Sequence, residues 1–466
     1  MHAISRKAYG VSTIAALVAC AVLGIGGSPS PAQVAAQRGG QATTKPSVVL
    51  VMMDDMGYGD IGSYGVSDAK TPNLDRLARE GVRLTDAYAN GPVCTPTRTA
   101  LISGRYQQRV GLEWALGGNP GDLERGLPIT GTSLPALLKK NGYATALIGK
   151  WHLGFRPPFL PNAHGFDEFF GFLGGAHDYY GHQRPDGSTD LYENTRPVET
   201  PTTYLTDEIT QRAVRFIDRH AAEPFFLEVA YNAVHWPFQP PDLVASDPRR
   251  TRNGPLRQMP DDPSPATRRE YVQMLERADQ GVGTVLAALD RNNLAQNTLV
   301  VFTNDNGGEW LSRNAPLYHR KATLWEGGIR VPLILRWPGQ LPRGTTSEQV
   351  AITMDLTASI LASTGTALPT GYRPEGVNIL PSLAGRAPAV ERQLFWRISL
   401  PERQQRAVRS GRWKMLVDGG LYLLFDLKDD PGERRDLAAQ HPDLVVKLKA
   451  LLAEWEREVD QKTPSQ

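Results

Sequence analysis

Cysteine is nearly missing from this sequence. Only Cys20 and Cys94 occur among its 466 residues. Cys20 lies in an apolar N-terminal stretch that reads as an export signal, so a chain cleaved beyond it keeps one thiol and forms no intramolecular disulfide. An exported protein of that kind draws its stability from its core. An excess of charge of one sign is missing too: 51 Lys+Arg against 49 Asp+Glu leave a formal net charge of +2. That balance gives no reason to expect a nucleic-acid partner, although it permits a local basic pocket for an anion. Internal repeats are absent. The hydrophobic fraction of 41% and charged fraction of 21% exclude a disordered or fibrous chain. At this length a large domain plus a smaller one is the expectation.

The N-terminus combines Arg6 and Lys7 with an apolar stretch from Val11 to Ile25 and small-residue cleavage sites at Ser30-Pro31-Ala32 or Val34-Ala35-Ala36. Residues 1–36 are therefore expected to be a signal peptide, directing export to the periplasm or the exterior. Leu17-Val18-Ala19-Cys20 also resembles a lipoprotein signal, but the apolar stretch continues through Ala21-Val22-Leu23, which favours simple cleavage. Residues 37–46 read as a polar linker.

Continuous apolar runs of strand length follow, the kind buried on both faces of a parallel sheet. Ser47 to Met53 ends in Asp54-Asp55, and Thr298 to Thr303 ends in Asn304-Asp305-Asn306-Gly307. Open α/β sheets bind ligands at the carboxyl ends of their strands. Adjacent carboxylates there repel unless a cation lies between them, and hard oxygen donors suit Ca²⁺ or Mg²⁺. In isolation Asp54-Asp55 would more often be a solvated turn. Tyr143 to Gly149 reads as a strand that delivers Lys150-Trp151-His152, and Pro224 to Ala230 as one that delivers His235-Trp236-Pro237. Pro96 sits just inside a predicted helix stopped by Gly104, which places Cys94 at a helix N-terminus, where N–H groups favour an anion. A free cysteine is usually a small buried hydrophobe; the surrounding Pro96 and Arg98 argue for more.

Cys94-Thr95-Pro96-Thr97-Arg98, continued through Ser103-Gly104-Arg105-Tyr106, resembles the signature of the type I sulfatases of the alkaline phosphatase superfamily. The Gly142-to-His152 segment resembles their second signature. Asp54-Asp55, Asp305-Asn306, the His235 segment and the Lys321-to-Pro332 segment fit the same family. The resemblance spans most of residues 46–340. It implies that Cys94 is converted to formylglycine (3-oxoalanine) by a formylglycine-generating enzyme. It further implies that Asp54, Asp55, Asp305 and Asn306, together with Cys94 as formylglycine, hold one divalent ion, Ca²⁺ by preference. His152 would assist the converted residue, Arg98 and Lys150 would hold it, and His235 and Lys321 would contact the sulfate and protonate the leaving alcohol. Asn304 stands where family members often have Ser, a departure expected to leave metal binding untouched.

The implied fold is α/β: a large, mixed, mostly parallel sheet sandwiched by helices over residues 47–370. After Gly371 consecutive short strands and a closing helix from Asp443 to Glu458 imply a small C-terminal antiparallel sheet packed with a helix, over residues 371–466. Helices are predicted from Thr206, as cap, to His220 and from Thr267 to Asn292. Residues 153–205, rich in Gly, Pro and aromatics, read as an ordered loop forming a wall of the substrate pocket. Phe169, Phe170, Phe172, Tyr179 and Tyr180 are its aromatics, and Asp178 and His182 its candidate substrate contacts; His164 reads as structural. A sulfated glycan or an aryl sulfate is the expected substrate. Two rivals remain: a phosphate or phosphonate monoesterase built on the same pocket, and a binder of sulfated glycans whose Cys94 is never converted.

Overall fold

The computed structural model describes residues 45–65, 68–184, 187–198, 203–244 and 266–461. The signal-peptide prediction, all but two residues of the linker and most of the Pro- and Arg-rich stretch 240–266 lie outside them. Among the described residues, no helix is long and apolar enough to cross a membrane.

Ser47–Met53 is a strand with all seven residues buried. It pairs in parallel with Phe225–Ala230 on one side and Thr298–Asn304 on the other. Ala144–Lys150 follows next to Phe225–Ala230, then Glu168–Phe172, both parallel. Leu333–Arg336 closes against Thr298–Asn304 in the antiparallel sense. With short edge strands the sheet reaches ten strands. Alternate side chains of the first strand enter opposite cores, as a strand buried on both faces requires. Val49, Val51 and Met53 pack in the core that holds the helices Leu205–Arg219 and Arg268–Arg291. Val48, Leu50 and Met52 pack in the core that holds Leu134–Lys140 and Thr353–Ser363.

A second sheet is fully antiparallel: Gln393–Leu400, Arg403–Ser410, Trp413–Asp418 and Leu421–Asp426, in that order. The helix Pro442–Val459 packs on it. Trp396, Leu416, Phe425 and Trp455 share one apolar core with Tyr88 and Ile352 of the two-stranded pair Ala87–Tyr88 and Ala351–Ile352, with Ala100 of the helix Cys94–Ser103, and with Leu324, so the small sheet is cemented to the larger domain. The expected α/β architecture with a small C-terminal sheet is present.

Local corrections concern edges. The helix predicted from Thr206 begins at Leu205, with Tyr204 preceding it and no side-chain cap. The stretch Val82 to Tyr88, whose composition reads as a single short strand, is two, Val82–Leu84 and Ala87–Tyr88. Residues 153–205 are not one loop. Glu168–Phe172 is a sheet strand whose Phe169, Phe170 and Phe172 are core residues, as is Tyr179, so these aromatics are not a pocket wall.

Candidate active site

Four strand ends and one helix start meet at the carboxyl edge of the large sheet. The Asp54 N–H donates to Ala233 O at 3.0 Å and the Val234 N–H donates to Asp54 O at 2.8 Å, which brings the His235 segment beside the first strand. Asp305 N–H donates to Met53 O at 3.2 Å, and Ala322 N–H to Pro92 O at 2.8 Å, which draws the Lys321 segment to the Cys94 turn. The helix Cys94–Ser103 points its first residue at the same place.

The Lys150 ammonium lies 2.5 Å from Asp54 Oδ2 and 3.2 Å from Cys94 Sγ. Lys321 Nζ donates to Asp55 Oδ2 at 2.7 Å, and His235 Nε2 lies 3.5 Å from the same oxygen. Ligand atoms of Asp54, Asp55, Cys94 and His235 all fall within 4.8 Å of one another. Arg98 departs from expectation. Instead of turning back to residue 94, its guanidinium donates to Asp305 Oδ2 at 2.8 and 3.1 Å and to Lys150 O at 3.1 Å. It holds Asp305 and the end of the Lys150 strand.

The electrostatics are those of charges taken out of water. Burial, with Asp305 adding to it, pushes the Asp54 carboxyl up to about 8. Burial works the same way on Asp55, but Lys321 and His235 reverse it and hold that carboxyl well below the usual range. Burial also raises the Cys94 thiol, with Asp305 reinforcing the effect. Burial lowers His152, helped by Lys150, and lowers His235, helped by Lys321, so both imidazoles are neutral near pH 7. Their tautomers follow from their partners. His152 Nε2 faces Leu116 O at 2.8 Å, leaving Nδ1 to carry the lone pair. His235 Nδ1 faces Trp236 O at 2.6 Å, leaving Nε2 towards Asp55. Asp55 and His152 both hold left-handed backbone, at φ 61° and 60°. Such conformations cost a non-glycine residue about 1–3 kcal/mol and persist where surrounding contacts over-determine them.

The donor set fits a hard divalent cation. Asp305 Oδ1 and Asn306 Oδ1 are buried with no hydrogen-bond partner, and buried oxygens of this kind beside two more carboxylates are donors that a hard cation satisfies.

A family profile for sulfatases matches residues 46–366. The chain belongs to the sulfatase family. A second profile, "N-sulphoglucosamine sulphohydrolase, C-terminal", matches residues 316–458 of this sulfatase. N-acetylgalactosamine-6-sulfatase of Sus scrofa is 34% identical over 408 residues, covering 82% of this chain and 71% of that protein. Arylsulfatase A of Bos taurus is 33% identical over 456 residues, covering 85% and 84%. Among solved structures, Ps i-CgsB in complex with k-i-k-neocarrahexaose aligns at a TM-score of 0.79 and 31% identity, covering 90% of this chain and 94% of that one. The sulfatase is thus a sulfuric ester hydrolase.

A cavity of ≈ 360 Å³ opens onto the cluster, with His152, His235 and Lys321 at its base and Phe155, Arg184 and Trp236 among its walls. Asp178 and His182 do not line it. Asp178 Oδ1 accepts the N–H groups of Tyr180 and Gly181, both at 2.7 Å, and closes a turn. The His164 ring lies tilted against Trp151, 5.4 Å between centroids, and its carbonyl accepts from Ser133, a structural placement. Two features of the sulfatase escaped sequence reasoning. Glu309, on the cavity, lies 3.5 Å from Lys321 Nζ; as a lone carboxylate in a Gly-rich turn it carried no signal. Asn304 accepts from Met56 N–H at 3.3 Å and donates to Met56 O at 3.0 Å, stitching the two acidic turns together. Its departure from Ser was the available clue.

Proposed function

We propose that this sulfatase is exported and releases sulfate from a sulfated glycan, using formylglycine at position 94 and one Ca²⁺ ion. The observation that carries the reading is the placement of Cys94 Sγ, 3.2 Å from Lys150 and within 4.8 Å of the Asp54, Asp55 and His235 ligand atoms, with His235 lining the cavity. Support for a glycan comes from the relatives: one is named for N-acetylgalactosamine-6-sulfate and one structure holds a neocarrahexaose. Export rests on the N-terminal apolar stretch alone, with lipidation at Cys20 as the alternative anchor.

Cys94 Sγ stands at the position that oxygen takes after conversion. When formed and bound, the hydrated aldehyde supplies a nucleophilic hydroxyl and the ion supplies positive charge opposite the sulfate oxygens. Asp54, Asp55, Asp305 and Asn306 would hold the ion. Arg98 fixes Asp305, and Lys150 orients residue 94 from its place between Asp54 and Sγ. Neutral His152 accepts a proton at Nδ1. Lys321, which lines the cavity, neutralises the sulfate and gives the departing alcohol its proton from Nζ; neutral His235, its Nδ1–H given to Trp236 O, contacts the sulfate and is not the proton donor.

The test is sulfate release from a panel of sulfated oligosaccharides, using protein co-produced with a formylglycine-generating enzyme. Cys94→Ala is expected to fold and to release none. Retention of activity in that variant overturns the mechanism. Cleavage of phosphate esters in preference to sulfate esters by the converted protein replaces the reading with a phosphomonoesterase.

A further inference from the structure

The reaction above leaves one cation of the cavity unused. Arg184 lines the same cavity as His152, His235 and Lys321. It is not a mobile surface arginine. Its backbone is held by the Gln183–Thr189 bridge and by Arg184 N–H donating to Ser188 O at 3.0 Å. Its guanidinium lies over the Phe155 ring, 4.7 Å from the centroid. Its Nε lies 3.0 Å from Asp190 Oδ2, and its Nη2 donates to Asp190 Oδ1 at 3.3 Å. Asp190 is wholly buried and accepts the N–H groups of Leu173, at 3.1 Å, and Gly174, at 2.8 Å. The carboxylate is thereby shared among backbone donors and the arginine, and the plane of the guanidinium is set.

The Gly174-Gly175 turn brings this assembly up to the catalytic base. A Cβ at Gly174 would lie 2.8 Å from Asp190 Oδ2, and one at Gly175 would lie 2.6 Å from His152 Cε1. Both positions require the absence of a side chain. Consecutive Cα atoms are about 3.8 Å apart, so the Arg184 anchor and the His152 ring are braced by neighbouring residues. Trp236, also on the cavity, offers an apolar ring face of the kind that packs on sugar rings.

We infer that Arg184 forms a second anion-recognition point, which binds an additional sulfate or carboxylate on the sugar carrying the scissile sulfate or on its neighbour. Asp190 takes the Nε side of the guanidinium, and the planar cation it fixes beside the cavity suits a further oxyanion. The inference rests on the glycan-sulfatase reading and narrows it to polyanionic glycans.

The experiment is equilibrium binding to the full-length Cys94→Ala protein in physiological salt, read by calorimetry. The probes are chondroitin, heparin and carrageenan oligosaccharide pairs that differ by one sulfate. Expected is a preference of at least tenfold for the more sulfated member of at least one pair. Arg184→Gln is expected to erase it, Arg184→Lys to retain part of it, and Arg291→Gln, on the far surface, to leave it unchanged. The double variant Arg184→Gln/Asp190→Asn removes the carboxylate exposed by the first change and is expected to lack the preference too. No preference in any pair overturns the inference, as does its survival in Arg184→Gln or its return in the double variant. Turnover of the same pairs by converted protein separates the two claims. A binding preference without sulfate release sinks the reading that these glycans are the substrate and leaves the anion site standing.

Discussion

Two buried clusters in this protein carry the same formal charges and do opposite things. At the catalytic edge, Asp54, Asp55 and Asp305 face Arg98, Lys150 and Lys321. Where the two sheets join, Asp86, Glu326 and Glu433 face Arg330, Arg409 and Lys414. At the junction the partners interlock: Lys414 sits 2.9 Å from both Glu326 and Glu433, and Tyr88 donates to Glu326 at 2.7 Å. At the catalytic edge the carboxylates also face one another. Asp54 is pushed up to about 8, and Asp305 Oδ1 and Asn306 Oδ1 lack donors. Equal charge counts therefore do not mean equal satisfaction. At the junction every carboxylate has a cation beside it, although Glu433 Oε1 meets Lys414 as an ion pair with no hydrogen bond, whereas at the site Asp305 Oδ1 and Asn306 Oδ1 have no donor at all.

Parallel lysine deletions give the sharpest way to break this comparison. Lys321→Ala is expected to lower kcat/KM by about 10³-fold, the loss typical of removing one preorganised electrostatic contact. Lys414→Ala is expected to leave kcat/KM within about twofold at 25 °C and to lower stability by about 3–5 kcal/mol, because two buried carboxylates lose their shared cation. Steady-state kinetics and denaturant unfolding on both variants check this. Equal effects on both readouts would show that the clusters do not divide their labour.

The difference between the clusters also explains what could be read in advance. Ser47 to Met53 was legible because an unbroken apolar run announces a buried strand, and the acidic pairs at strand ends announced the site. Glu168–Phe172 was not legible. Its Gly171, where a Cβ would lie 1.8 Å from Gly149 O, is demanded by close packing of the strand beside it, yet glycine is depleted in strands and reads as a loop. Side-chain partners were equally hidden. Nothing local told that Arg98 would reach Asp305, 207 positions away, or that Arg184 would lean on Phe155 and Asp190. The junction cluster went unseen because its acids and bases are scattered from Asp86 to Glu433 and follow no motif.

Metal binding separates the clusters next. Ca²⁺ at a hundredfold excess over its Kd is expected to stabilise the protein by about 3 kcal/mol, and EDTA to remove that gain. Asp305→Ala is expected to abolish the shift, and Lys414→Ala to keep it. Thermal unfolding with and without Ca²⁺ reads the result, and a shift surviving in Asp305→Ala would take that residue out of the metal site.

The smallest effect lies in pH. At the junction, burial raises Glu433 to about 7 from the ordinary 4.5, with Glu326 adding to the rise against Lys414. Burial would raise Glu326 as well, but Lys414 and Arg330 bring it down to about 2. Between 4.5 and about 7 the folded chain therefore binds more protons at Glu433 than the unfolded chain, so stability from this group falls as pH rises through that window. The contribution of Glu326 is present above 4.5 and fades only as pH drops towards about 2, outside the same window. Glu433→Gln removes the titrating proton and keeps an acceptor for the Glu326 N–H, which Glu433 now meets at 2.6 Å. The native protein is expected to lose about 1–3 kcal/mol more than this variant between about pH 5 and about pH 7.5. Denaturant unfolding of both proteins at the two pH values, with the same Ca²⁺ concentration throughout, reads the difference. Parallel curves would mean that Glu433 is ionised throughout and that the junction, like the loaded catalytic site, balances every charge it buries.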